Sequence, residues 1–93
     1  MREAMHHLVL GTLLLCEEEL PFGVYPAVEK WEKKEYNAHA FEEYAMVCHH
    51  EKYLTAELAC AAALWACKGV GASRCDDRAM DCIMQLLKIK KEV

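Results

Sequence analysis

Turn-forming residues are scarce in this 93-residue chain, which has two prolines, four glycines, one serine, one asparagine and two threonines. Folds built from many short strands, and disordered linkers, both draw heavily on those residues, so both are disfavoured. No surplus of positive charge is present either. Eleven Lys and Arg against fifteen Asp and Glu leave a formal charge of −4, and a phosphate backbone is gripped mainly by clustered cations, so no nucleic-acid partner is expected. The apolar stretch near the start, Leu8 to Cys16, is short. It falls well below the roughly 20 residues that span a bilayer, so no transmembrane span is expected. Glu3 and the absence of a small-x-small site before Glu17-Glu18-Glu19 also argue against a secretory leader.

The familiar signatures of catalysis are missing as well. The chain contains no Gly-rich phosphate loop, no His-Glu-x-x-His and no Cys-x-x-Cys. Its one serine, Ser73, reads as a helix cap, with Asp76 three residues on and Asp77 beside it. Cys48 beside His49 resembles a nucleophile and base, but adjacent helical residues do not face each other. His6-His7 lies near Cys16 and His49-His50 follows Cys48, yet none of these has the spacing of a structural zinc site. No catalytic residue, metal site or cofactor is therefore expected.

What is there favours helices. The chain is 55% hydrophobic and rich in Ala, Leu, Glu and Lys, the composition of an all-α fold with short connections. Residues 1–93 read as one helical domain, a small bundle of three or four helices in antiparallel hairpins. The first helix is expected from about Arg2 to Leu20, before Pro21, Gly23 and Pro26 interrupt the chain. The second begins near Pro26 and carries Val28, Trp31, Ala38, Phe41, Tyr44, Ala45 and Cys48 on one stripe. Its charged residues, Glu29 to Glu35 with Glu42 and Glu43, read as a solvated face. Its end is ambiguous. Either a turn near His50 divides it, or one helix runs from Pro26 to about Lys68, roughly 64 Å long. A largely apolar segment from Leu54 to Lys68 follows, capped by Gly69 in a left-handed conformation. The last helix runs to about Lys91, and the C-terminal hairpin thus covers residues 54–91.

Two spacings stand out. Ala40-FEE-Tyr44-AM-Val47 and Ala79-MDC-Ile83-MQ-Leu86 share an Ala-x3-large-x2-large pattern that faintly resembles the second helix of a tetratricopeptide repeat. Their separation of 39 differs from that family's period of about 34 and its Trp, Gly and Pro landmarks are missing, so an ordinary amphipathic helix is the better explanation of the pattern. The second spacing is Cys60-x6-Cys67 and Cys75-x6-Cys82, two cysteine pairs flanking a Gly-containing loop. Residues seven apart share a helix face, so each half of the hairpin carries a cysteine stripe. As reduced thiols these are small apolar core residues. In layout the stripes also resemble the coiled-coil-helix-coiled-coil-helix family of the mitochondrial intermembrane space, although that family's cysteine spacing is wider. The resemblance implies two disulfides, Cys67 with Cys75 and Cys60 with Cys82, and a redox, metal-handling or assembly role. It leaves Cys16 and Cys48 either paired or free.

The leading expectation is a non-enzymatic helical subunit or adaptor whose partners are the other protein chains of a larger assembly. The twin-cysteine hairpin protein is the alternative. Phe22, Tyr25, Trp31, Tyr36 and Tyr53 are the aromatic candidates for partner contact, because aromatics are enriched at such surfaces, and each could serve the core instead. Localisation is left open by these features. Reduced cysteines favour an intracellular chain, and the hairpin resemblance points to the mitochondrion.

Overall fold

The computed structural model describes residues 1–69 and 73–91, and its regular structure is entirely helical among them. Five α-helices follow in order, α1 (Glu3–Leu15), α2 (Ala27–Glu32), α3 (Ala38–His50), α4 (Leu54–Lys68) and α5 (Ser73–Lys91). Single 3-10 turns at Glu17–Glu19 and Phe22–Val24 link α1 to α2. None of these helices is long and apolar enough to cross a membrane.

The first helix is shorter than its pattern suggests. It ends at Leu15, with the Cys16 N–H turned back to the Leu13 and Leu14 carbonyls. Three consecutive glutamates would otherwise occupy the negative end of the helix dipole, and a tight turn takes them out of it. The expected second helix is in fact two, which is why there are five helices rather than three or four. Lys34 adopts a left-handed φ of 59°, and the Glu35 and Lys34 N–H groups close on the Lys30 and Trp31 carbonyls, both at 2.9 Å. This is a Schellman ending with lysine where glycine is usual. Asn37 then caps α3, its side chain accepting from the Ala40 N–H at 3.2 Å.

The same device resolves the ambiguity after His50. Lys52 has φ 63°, and Lys52 and Tyr53 donate to the His49 and Cys48 carbonyls at 3.1 and 2.9 Å. The chain reverses there, so α3 and α4 form a hairpin and no helix spans residues 26–68. Gly69 ends α4 as expected, but with an ordinary φ of −83°. Its role is close approach. A β-carbon on it would lie 2.7 Å from Asp76 Oδ1 and 3.1 Å from both the Cys75 β-carbon and the Trp65 carbonyl oxygen. Ser73, expected as an N-cap, is the first residue of α5, and its side chain lies outside the described residues.

α4 is the central element, with α3 and α5 packed along it and α1 against it. Its buried residues are Ala56, Ala59, Cys60, Ala62, Ala63 and Ala66. The larger side chains come from its neighbours. Leu13, Val9 and Cys16 on α1 and its end, Trp31 on α2, Phe41 and Cys48 on α3, and Ile83 and Leu86 on α5 complete one apolar cluster. Ion pairs join the two ends of α5 to the residues that flank α1, Arg2 before it and Glu19 in the turn after it. Arg2 Nη2 meets Asp76 at 3.1 Å at one end, and Lys90 Nζ meets Glu19 at 2.7 Å at the other. The two helices therefore lie side by side and run in the same direction.

Opposite glycine changes should have opposite effects. Lys52→Gly relieves a left-handed side chain and is expected to stabilise the fold by about 0.5–1 kcal/mol. Gly69→Ala pushes α5 off the end of α4 and is expected to destabilise it by about 1–3 kcal/mol. Thermal unfolding followed by circular dichroism reads both. A fall in Tm for Lys52→Gly, or none for Gly69→Ala, would contradict these assignments.

Candidate functional site: displayed aromatics and buried polar clusters

The aromatic candidates separate into two kinds. In the connector between α1 and α2, Leu20, Val24 and Ala27 point into the core, and the Val24 N–H is held on the Pro21 carbonyl at 2.8 Å. That anchoring turns the residues between them outward. Phe22 is 98% exposed and Tyr25 68% exposed. Burying a phenylalanine is worth about 1.5–3 kcal/mol, so a ring left in water on an anchored turn is a site with contact energy unspent. Tyr53 is also exposed, at the turn between α3 and α4.

Trp31 and Tyr36 go the other way. Trp31 is wholly buried, so it belongs to the core rather than to a contact surface. Its Nε1 donates to the His6 carbonyl oxygen at 2.8 Å, and its ring stacks on the His6 imidazole with centroids 5.8 Å apart. Tyr36 is half-buried, with its hydroxyl 2.7 Å from His6 Nδ1. The edge of Phe41 closes the cluster against Trp31. Burial holds the His6 imidazole below its ordinary pKa, and the nearby charges of His7 and Lys34 add to this while Glu3 opposes it. Sequence reasoning treated His6 only as a weak metal candidate. The available signal was its position seven before Leu13, which places it on that residue's buried face.

The cysteines are distributed differently from the stripes on the hairpin. All six are free thiols. Cys16, Cys48 and Cys60 are completely buried and meet where the end of α1, α3 and α4 converge. Cys60 is hydrogen-bonded to Cys48; that bond and burial push its thiol well above the ordinary range. Burial likewise pushes Cys16 up to about 11, partly offset by Lys90. Cys67, Cys75 and Cys82 are half-buried, and burial raises Cys67 to about 11. Thiols kept protonated at neutral pH are poor nucleophiles and poor metal ligands. Among the described residues, no three His, Cys, Asp or Glu side chains are placed to hold a metal ion. The contact partner of Cys60 is thus Cys48 on the preceding helix.

Glu19 forms a third polar cluster. Its carboxylate accepts from Lys90 on α5 and from the Thr55 hydroxyl at the start of α4. Those two hydrogen bonds hold its pKa below the usual carboxylate value. Shallow depressions also occur on the surface. One of about 280 Å³ lies between α3 and α4, near His49 and Met46, and two more lie along α1 and α5. No protein-family model matches the chain, and comparison with curated proteins and with solved structures finds no match either.

His6 gives the fold a pH dependence whose sign follows from burial. Its folded pKa lies below the reference value of 6.5, so between the two values the unfolded chain binds the extra proton. Stability is therefore expected to be full above about pH 7, to fall as pH drops through the unfolded pKa, and to level off below the folded one. His6→Gln keeps a polar group beside Tyr36 but cannot titrate there. Its Tm should vary less than that of the wild type over this window, and parallel Tm profiles would exclude His6 as the source.

Proposed function

We propose that the chain is a non-enzymatic helical subunit or adaptor that acts through protein–protein contacts. The observation that carries this reading is the displayed connector, with Phe22 and Tyr25 in solvent on a turn anchored by buried Leu20, Val24 and Ala27. Aromatic side chains fixed in place lose little freedom on binding and commonly dominate the energy of an interface. The chemistry of the interior supports the same reading. His6 is engaged with Tyr36, and its own carbonyl holds Trp31. Glu19 is engaged with Lys90 and Thr55. Three cysteines are sealed in the core.

The partners under this reading are other protein chains, met through a surface that is acidic overall. The disulfide-hairpin alternative would draw its support from bridges joining Cys60 to Cys82 and Cys67 to Cys75, whereas these four residues are thiols here. Cys60 is buried and the other three are half-buried, which suits small apolar residues in and at the edge of a reduced core.

Size fractionation of an extract from the source cells tests the reading. The chain is expected in a complex several times larger than its own 10.6 kDa. Replacing Phe22 and Tyr25 together with serine should release it to the small fractions while leaving its Tm unchanged. A wild-type chain that elutes alone, or only as two copies, would remove the adaptor reading.

A further inference from the structure

α1 and α5 each carry an exposed apolar flank. Leu8, Gly11 and Leu15 share one face of α1, and Met80, Met84 and Leu87 one face of α5, at spacings of three and four. Leu8 and Met80 share a depression of about 230 Å³ toward the start of both helices. Met84 and Leu87 line another of about 460 Å³ toward the end of α5. Met84 is 62% exposed and Leu15 53% exposed. Gly11 stands in the middle of α1, where glycine weakens a helix, yet a β-carbon there would meet nothing within 4 Å. Nothing inside the chain calls for that glycine. A second helix laid closely on this flank would.

Charge identifies the second helix. Along α5 the apolar line is bracketed by Asp77 and Asp81 on the amino-terminal side and by Lys88 and Lys91 on the carboxy-terminal side, all four exposed. Among the described residues none of them has an ion-pair partner. An antiparallel copy of α5, with the two-fold axis at Met84, brings Asp77 opposite Lys91, sets Asp81 and Lys88 within one residue of each other across the pair, and does the same for Met80 and Leu87. A parallel copy would set like charge against like. We propose that these flanks form the interface of a homodimer in which α5 of each copy lies antiparallel along α5 of the other, beside α1.

The proposal rests on the adaptor reading and deepens it by naming a second copy as the occupant of one surface. The interface is isologous, since the same patch serves both copies. Two helices about 28 Å long and about 10 Å wide offer on the order of 500 Å² per copy, less than the ~800 Å² of a standard interface. The dimer is therefore reversible and dependent on concentration.

Sedimentation velocity of the full chain, from low to high micromolar concentration, tests it. The wild type is expected to pass from monomer to dimer. Met84→Glu, which sets two like charges across the axis, should remain monomeric with an unchanged circular dichroism melt. The pair Lys88→Glu and Lys91→Glu should weaken the dimer at least tenfold, and adding Asp77→Lys and Asp81→Lys should restore it. A wild type monomeric throughout, or a dimer indifferent to Met84→Glu or to the charge reversals, would overturn the proposal. Neither result bears on the adaptor reading, which is decided by the Phe22 and Tyr25 substitutions.

Discussion

Three helices can lie against α4 at once because most of its inward positions, Ala56, Ala59, Ala62, Ala63 and Ala66, carry a single methyl group. Interaxial distance is set by the side chains at the contact, and alanine brings helices toward the short end of the 8–10 Å range. A larger residue at one of these positions would push a neighbour outward and open voids elsewhere. Volume is supplied from outside instead, by Phe41, Leu13 and Leu86 on the helices packed against it, with Trp31 seated beside Phe41. Gly69 extends the same rule to the α4–α5 junction, where even one methyl would be too much.

How legible each element was depended on which residue marked its end. The limits of α4 could be read because an apolar segment stops at Gly69, and the extent of α5 because lysines gather at its carboxyl end. The division of α2 from α3 could not be read. Its reversal is made by Lys34 and that after α3 by Lys52, both in a conformation that glycine usually marks. Asn37 was the one available signal, as an N-cap just before Ala38. In both places the chain accepts local backbone strain to close a packed core, and a propensity argument has no access to that packing.

The candidate site was legible in the same uneven way. Phe22 and Tyr25 could be singled out because aromatic residues in a proline-bounded connector are unusual, and both are in solvent. Trp31 follows that connector on a predicted helical stripe with Val28 and Phe41 and lies in the core, where its ring and its N–H are both satisfied by His6. Helical spacing offered the stripe but not the partner, because that contact spans 25 positions in sequence. The cysteines show the same limit. The periodicity of Cys60 and Cys67 points along α4, whereas the neighbour of the Cys60 thiol comes from α3.

The parallel pairing of α1 with α5 also constrains how the protein is made. The Arg2 to Asp76 ion pair joins residues 74 apart, so the side of α1 that meets α5 is covered only after the fifth helix has been made. α3 and α4, joined by a three-residue turn, can close as soon as both are synthesised. Until α5 follows, α1 can already pack on α2 and α4, and only its side toward α5 stays open.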